Sequence, residues 1–155
     1  MIVESSSLLL TKVAATGAAG IAAGALTFVS FVDTRTYVGL VNSGEEATVK
    51  KLFPRWWPNG RDLMVPVVAL CTLTHGVAYW ASGDPSWLWS GALLFSIGPY
   101  TKLVLGEDIE GLRKAGTKDV AAMTRRFCSM HHLRLVAAAA AFAVSLFALG
   151  TSPPP

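Results

Sequence analysis

The segment FCSMHHLRL, residues 127–135, places histidine and arginine side chains at the start of a long apolar stretch. In an α-helix His131 and Arg134 share one face, whereas His132 lies about 100° away around the axis. Phe127 lies on the same face as His131. An imidazole can act as a general base and a guanidinium can stabilise an anion. The spacing therefore predicts a small polar site, and the structural alternative is an interfacial anchor with a snorkelling arginine.

Other polar residues in the apolar stretches give weaker signals. His75 lies within one such stretch, and its simplest role is a hydrogen bond to a neighbouring helix. A haem ligand pair of His75 with His131 or His132 is disfavoured, because the histidines lie at different expected depths. Cys128 and His131 have helical metal-ligand spacing, but two ligands do not make a site. We therefore expect no metal and no cofactor.

The distribution of charge predicts the fold. The chain of 155 residues is 52% hydrophobic and 15% charged, whereas soluble domains have about 25% charged residues. Four stretches carry few or no charges and have about the length that crosses a bilayer core. These stretches are residues 8–32, 63–82, 86–105 and 131–149. The sequence predicts an all-α fold: one integral membrane domain over residues 1–155, a bundle of four transmembrane helices.

Basic residues predict the orientation in the membrane. They cluster in the loops 33–62 and 106–130, which the positive-inside rule places on the cytoplasmic or matrix side. Both termini would then lie on the opposite side. The net charge of +3 is no signature of nucleic-acid binding, and the expected partner is the lipid bilayer. Glu4 and the lack of a basic leader indicate that the first span is retained rather than cleaved.

The segments between the spans carry local signals. Trp56 and Trp57 fit an interfacial aromatic belt. Pro58-Asn59-Gly60 predicts a turn, and GEEATVKKLF before it predicts a short interfacial helix. The segment AGTKDVAAMTRRFCSM predicts a polar helix, capped by Thr117, that leads into the fourth span. Residues 153–155 are expected to form an unstructured tail.

The first span contains the small-residue motif GIAAG. Its glycines, Gly20 and Gly24, lie on one helix face, where close backbone approach is favoured in lipid. We expect this face to pack inside the bundle. A homo-oligomer formed through the same face, or a contact with a larger membrane complex, is the alternative.

The ends of the spans resemble the anthrone oxygenase-like family of small four-span membrane proteins. In that family the fourth span opens with an aromatic residue, three residues, a histidine, two residues and an arginine, which here are Phe127, His131 and Arg134. The third span of the family ends with a proline and a threonine, here Pro99 and Thr101.

The resemblance extends to the connecting segments. The family's aromatic and basic residues before a proline-containing second span correspond to RWWPNGRDLMVP, with Arg61 and Pro66. A polar patch follows the third span. The family often has asparagine in this patch, whereas this chain has Glu107, Asp108 and Glu110.

The resemblance implies oxidation of an anthrone-type polyketide by O₂ to an anthraquinone, without metal or flavin. His131 is then the general base, and Arg134 the cation that stabilises the enolate oxygen. The expected substrate-binding residues are Trp56, Trp57, Asn59, Arg61, Tyr100 and Thr101.

A non-catalytic accessory subunit of a larger membrane protein complex is the alternative function. It rests on the GIAAG face and on the lack of a deeply buried catalytic pair in the sequence pattern. A transporter is a weaker alternative, because four spans are too few for a typical inverted-repeat transporter unless it dimerises.

Overall fold

The computed structural model describes residues 6–114 and 119–151. Within these ranges all regular structure is helical, which confirms the all-α prediction. The predicted cap Thr117 and the tail 153–155 lie outside the described residues. The elements in chain order are α1 (Ser6–Phe28), a π-helical turn (Val29–Asp33), α2 (Thr34–Asn42), α3 (Glu46–Ser82), α4 (Pro85–Val104), α5 (Gly106–Arg113) and α6 (Val120–Gly150).

The long helices pack side by side. Helix α6 packs along α1 and α4, and α3 packs along the same two helices on the other side. The short helices α2 and α5 lie at one end, where both contact α3 and α6. This packing brings α1, α3, α4 and α6 around one shared interior.

Three helical stretches are long and apolar enough to cross a membrane, which indicates an integral membrane protein. They are Ser6–Asn42, Glu46–Ser82 and Val120–Gly150, which contain 18-residue segments with mean hydropathies of 1.6, 1.5 and 2.0. Helix α4 covers the predicted third span, but tryptophans, prolines and Lys102 lower its hydropathy. The predicted count of four spans is therefore not confirmed by hydropathy.

The outer faces of the helices carry large apolar side chains, as expected for surfaces in contact with lipid. Leu10, Ile21, Leu73 and Phe147 each expose about two thirds of their surface. A water-soluble protein rarely shows so extended an apolar exterior. Length, hydropathy and surface therefore agree on a membrane environment.

The turn expected at Pro58-Asn59-Gly60 is wrong, and so is a long loop over 33–62. Helix α3 continues from Glu46 to Ser82 with Pro54, Pro58 and Pro66 inside it. Its first part is the helix predicted over GEEATVKKLF. Each proline removes one backbone donor, but aromatic packing of this part of α3 against α2 and α6 offsets the loss. Tertiary packing thus overrides the local turn signal.

The reversals between long helices are short. Gly44, at φ +76°, lies in the turn between α2 and α3. Gly83, at φ +68°, ends α3 in the left-handed conformation that favours glycine. Asp84 then caps α4 by accepting a hydrogen bond of 2.9 Å from the backbone N–H of Ser86. These turns hold neighbouring helices antiparallel.

Small residues line the contact between α1 and α6. Ala19 and Ala22 of α1 are fully buried in the same cluster as Ala138 and Ala141 of α6. A Cβ on Gly20 would lie 3.1 Å from the ring of Phe142. Gly24 is exposed. An oligomer formed through the Gly20/Gly24 face stays a prediction.

A buried hydrogen-bond network joins α3, α4 and α6. His75 donates from Nδ1 to the carbonyl oxygen of Cys71 at 2.7 Å, since a carbonyl can only accept. Its Nε2 lies 2.9 Å from the hydroxyl of Ser145, which lies 2.7 Å from that of Ser90. This network contains the interhelical hydrogen bond expected for His75.

Gly91 allows α4 to approach this histidine. A Cβ at position 91 would lie 3.0 Å from the Cβ of His75, an atom close to the backbone that cannot move freely. We expect Gly91→Ala to lower stability by about 1–3 kcal/mol through overpacking. The measurement is the thermal midpoint of the detergent-extracted protein. The control is Gly76→Ala, where a Cβ meets nothing within 4 Å; equal effects of both variants would contradict this account.

Candidate functional site

His131 lies in the interior, bonded to the π-helical turn. Its side chain is 1% exposed, and its Nδ1 lies 2.9 Å from the hydroxyl oxygen of Ser30. The hydroxyl of Thr34 donates to the carbonyl oxygen of Ser30 at 2.5 Å, which ties the turn to α2. π-Helical turns often occur at functional sites. Because Ser30 lies in this turn, the turn positions the hydroxyl that orients the imidazole of His131.

Arg134 extends from the same face of α6 into the interior. It is 7% exposed, and its Nη1 donates to the hydroxyl oxygen of Thr101 at 3.3 Å. The guanidinium carbon lies 5.8 Å from the centre of the Phe127 ring and 6.0 Å from that of Trp57. These contacts give the cation a threonine oxygen and two ring faces as neighbours.

No described carboxylate neutralises the charge of Arg134. Within residues 6–114 and 119–151 no carboxylate lies within ion-pair distance of it, and its buried Nε has no hydrogen-bond partner. A buried charge without a counter-ion is costly. The position is therefore complementary to an anion, which residues 6–114 and 119–151 do not supply.

Aromatic rings form one wall of this site. Trp57 stacks in parallel with Phe53, with ring centres 6.3 Å apart, and Phe127 contacts both rings edge-on. Trp56 donates from its indole nitrogen to Asp33 at 3.0 Å, so it braces the π-helical turn against α3. Flat apolar surface thus borders the guanidinium.

Helix α4 contributes two of the predicted residues. The hydroxyl oxygen of Thr101 accepts the hydrogen bond from Arg134. The same hydroxyl donates its proton to the carbonyl oxygen of Ile97 at 2.7 Å. Tyr100 donates its hydroxyl proton to the carbonyl oxygen of Met130 at 3.0 Å. The hydrogen bonds Arg134–Thr101 and Tyr100–Met130 join α4 to residues 130–134 of α6.

The structure does not bring Asn59 and Arg61 into this group. Both are exposed on α3, and Arg61 forms an ion pair of 2.7 Å with its neighbour Asp62. Among the described residues, no hydrogen bond or ion pair joins either of them to His131 or Arg134. Their role in substrate binding stays a prediction.

Ser30 is the site residue that the sequence analysis missed. A hydroxyl in an apolar span is a recognisable signal, because polar groups within a membrane are costly. However, serines and threonines occur in every long helix of this chain. Only the tertiary contact with His131 distinguishes Ser30 from the others.

The part of the chain that the structure describes contains no cluster of metal-binding side chains. No group of three or more histidine, cysteine or acidic side chains there could hold a metal ion. Cys128 and Cys71 are both buried free thiols.

The acidic patch after α4 lies next to this end of the bundle. Asp108 is buried, with its Oδ2 3.6 Å from Nε of Arg126, and Glu107 lies 3.7 Å from the same guanidinium. Burial raises the pKa of the Asp108 carboxyl above its ordinary value, although Arg126 lowers it and Glu107 raises it further. Asp108 of α5 thus contacts Arg126 of α6, but burial disfavours the ionised form of its carboxyl.

The described helices and the buried histidine–arginine group define a helical membrane protein with an internal polar site. Residues 53–144 match the profile of the anthrone oxygenase family, which is more than half of the chain. The protein therefore belongs to the anthrone oxygenase family, as the resemblance predicted. Comparisons with curated proteins and with solved structures give no match. The matched segment includes His131 and Arg134, whereas Ser30 precedes it.

The unneutralised charge of Arg134 leads to a test that separates an anion site from a structural anchor. We expect Arg134→Met to raise the thermal midpoint by about 2–4 °C, because it removes a buried charge at a cost of about 1 kcal/mol. Arg134→Lys keeps the charge and is expected to give no such gain. A lower midpoint for Arg134→Met, with Arg134→Lys unchanged, would show that the cation serves stability.

The burial of Asp108 predicts a pH dependence. Because its pKa is raised on folding, the folded state holds this proton more tightly than the unfolded state. Its contribution to stability is therefore full at low pH and is lost as the pH rises through the folded pKa. We expect Asp108→Asn to gain thermal stability relative to the wild type as the pH rises above about 4, the ordinary pKa of an aspartate. Glu110→Gln, at an exposed carboxyl, is the control and should show no such trend.

Proposed function

We propose that this protein is a cofactor-independent oxygenase that oxidises an anthrone-type aromatic substrate with O₂ to the corresponding quinone. Membership of the anthrone oxygenase family supports the reaction class. The observation that carries the proposal is the buried guanidinium of Arg134, with an unpartnered Nε, on the same helix face as a buried histidine. Such a pair suits a reaction that removes a proton and creates an anion.

The chemistry needs only these groups and oxygen. His131 removes one proton from the ring CH₂ of the anthrone, and the negative charge that results spreads onto the carbonyl oxygen. Arg134 stabilises this oxyanion in a site that excludes water. The carbanion carbon then reacts with O₂, and the peroxide takes the proton back from the imidazolium.

Loss of water from the hydroperoxide completes the reaction. One oxygen atom remains in the new carbonyl group and the other leaves in water. The ring CH₂ gives up four electrons and O₂ accepts four, so no external reductant is required. The proton borrowed by His131 is returned within each cycle.

Ser30 and the aromatic wall set the geometry in this proposal. With the Nδ1 proton donated to Ser30, the imidazole presents its Nε2 lone pair as the base. Trp57, Tyr100 and Trp56 supply flat surface for the rings of the substrate. Thr101 holds Arg134 in place. Asn59 and Arg61 are assigned to the outer part of the binding site.

The membrane arrangement belongs to the same proposal. Helix α4 has 20 residues, a length of about 30 Å that matches a bilayer core. It packs along α3 and α6, which supports a bundle of four spans over residues 1–155. The segments 33–62 and 106–130 then face the cytoplasm or matrix, with both termini opposite.

The test is oxygen uptake by the purified full-length protein with an anthrone, corrected for autoxidation without protein. We expect His131→Ala to lower the rate at least about 10²-fold, the usual contribution of a general base. Added imidazole should restore part of this activity, which a purely structural histidine would not allow. Full activity of His131→Ala would overturn the assignment of the base.

A separate experiment tests the alternative that the protein is an accessory subunit of a larger membrane complex. Gentle extraction of the native particle shows whether the chain is recovered alone or with a larger complex. Stoichiometric recovery with other subunits, together with no oxygen uptake, would replace the oxygenase proposal. Recovery as a monomer or homo-oligomer that consumes O₂ would support it.

A further inference from the structure

A groove of about 640 Å³ opens beside the π-helical turn, between α2 and the first half of α6. Ser30, whose hydroxyl contacts Nδ1 of His131, forms part of its lining. The lining groups that matter here are three hydroxyls, two guanidinium groups and one aromatic ring. They belong to Ser30, Thr34, Ser129, Arg35, Arg125 and Phe31.

The charge in this groove is positive and unpaired. Neither Arg35 nor Arg125 forms an ion pair with any described residue, and none of the described lining residues is acidic. In contrast, the neighbouring Arg126 lies within 4 Å of both Glu107 and Asp108. The groove therefore favours an anion.

Both guanidinium groups are held in position without being neutralised. The guanidinium carbon of Arg35 lies 5.6 Å above the centre of the Phe31 ring. Arg125 donates from Nη2 to the side-chain oxygen of Asn42 at 3.0 Å. A planar guanidinium in a fixed orientation suits phosphate oxygens better than a mobile ammonium does.

An apolar path leads away from the charged end of the groove. Phe28, Phe31 and Val32 are 59%, 49% and 45% exposed on consecutive turns of the first long stretch. They run from the groove towards the middle of the apolar surface of α1. A ligand with a charged head and a hydrocarbon chain matches both parts of this surface.

We propose that this groove binds the phosphate group of an anionic phospholipid, with an acyl chain along Phe28, Phe31 and Val32. Basic grooves between membrane helices on the cytoplasmic side are suited to such headgroups. The guanidinium groups of Arg35 and Arg125 contact the phosphate. This binding site is separate from the proposed oxidation and does not depend on it.

The experiment is native mass spectrometry of the full-length protein in a mild detergent, with added phosphatidylglycerol or phosphatidylcholine. We expect one phosphatidylglycerol to be retained in preference to phosphatidylcholine. Arg35→Gln and Arg125→Gln should each weaken its retention about fivefold, since a basic residue near a lipid surface contributes about 1 kcal/mol. The charge-preserving variants Arg35→Lys and Arg125→Lys should retain more lipid than the glutamine variants.

The matched control is Arg55→Gln, which removes the same charge from an exposed position on α3 outside the groove. It should bind phosphatidylglycerol like the wild type. An equal loss in Arg55→Gln, or equal retention of phosphatidylcholine, would overturn the proposal. Both arginines are exposed, so thermal midpoints of the variants like that of the wild type are expected, which would assign any loss to binding rather than unfolding.

A second arm separates a lipid from a soluble source of the same chemistry. Inorganic phosphate is added at millimolar concentration to the protein loaded with phosphatidylglycerol. Retention of the lipid supports a headgroup site. Displacement of the lipid by phosphate alone would assign the groove to a soluble phosphate and overturn the lipid assignment.

Discussion

Burial of the Arg134 guanidinium among apolar helices costs free energy that the protein recovers only in part. One hydrogen bond to Thr101 and the faces of Phe127 and Trp57 offset some of the lost hydration. To provide these contacts, α3 must run unbroken past its prolines and α4 must lie against the start of α6. The packing of α3, α4 and α6 thus surrounds the Arg134 guanidinium at a position where no described carboxylate pairs with it.

The two buried histidines differ in whether the polar groups around them all have hydrogen-bond partners. His75 lies in a network whose members all have partners, and it joins three helices. His131 has Ser30 as a partner, but its neighbour Arg134 keeps an unpartnered Nε. A complete network serves stability, whereas an incomplete one is where a ligand can bind. The same residue type therefore has a structural role in one place and a proposed catalytic role in the other.

The π-helical turn connects the two sites proposed in this molecule. Ser30 contacts His131 on one side and lines the basic groove on the other. Asp33, at the end of the same turn, accepts the indole proton of Trp56. One irregular turn in the first long stretch thus positions the imidazole, braces the aromatic wall and forms one edge of the groove.

The sequence by itself determined the helical class, the membrane environment, the family and the shared face of Phe127, His131 and Arg134. The helical class, the membrane environment and the shared face follow from composition and from the 3.6-residue period, which depend only on local sequence. The family follows from the resemblance of short motifs at the ends of the spans. Tertiary structure decided the rest. It kept α3 helical through Pro58, because packing of the aromatic cluster outweighs the lost hydrogen bonds. It also paired Ser30 with His131 and Thr101 with Arg134, while it left Asn59 and Arg61 on the surface. Contacts between residues 33 or 101 positions apart depend on how helices pack, and no local pattern encodes them.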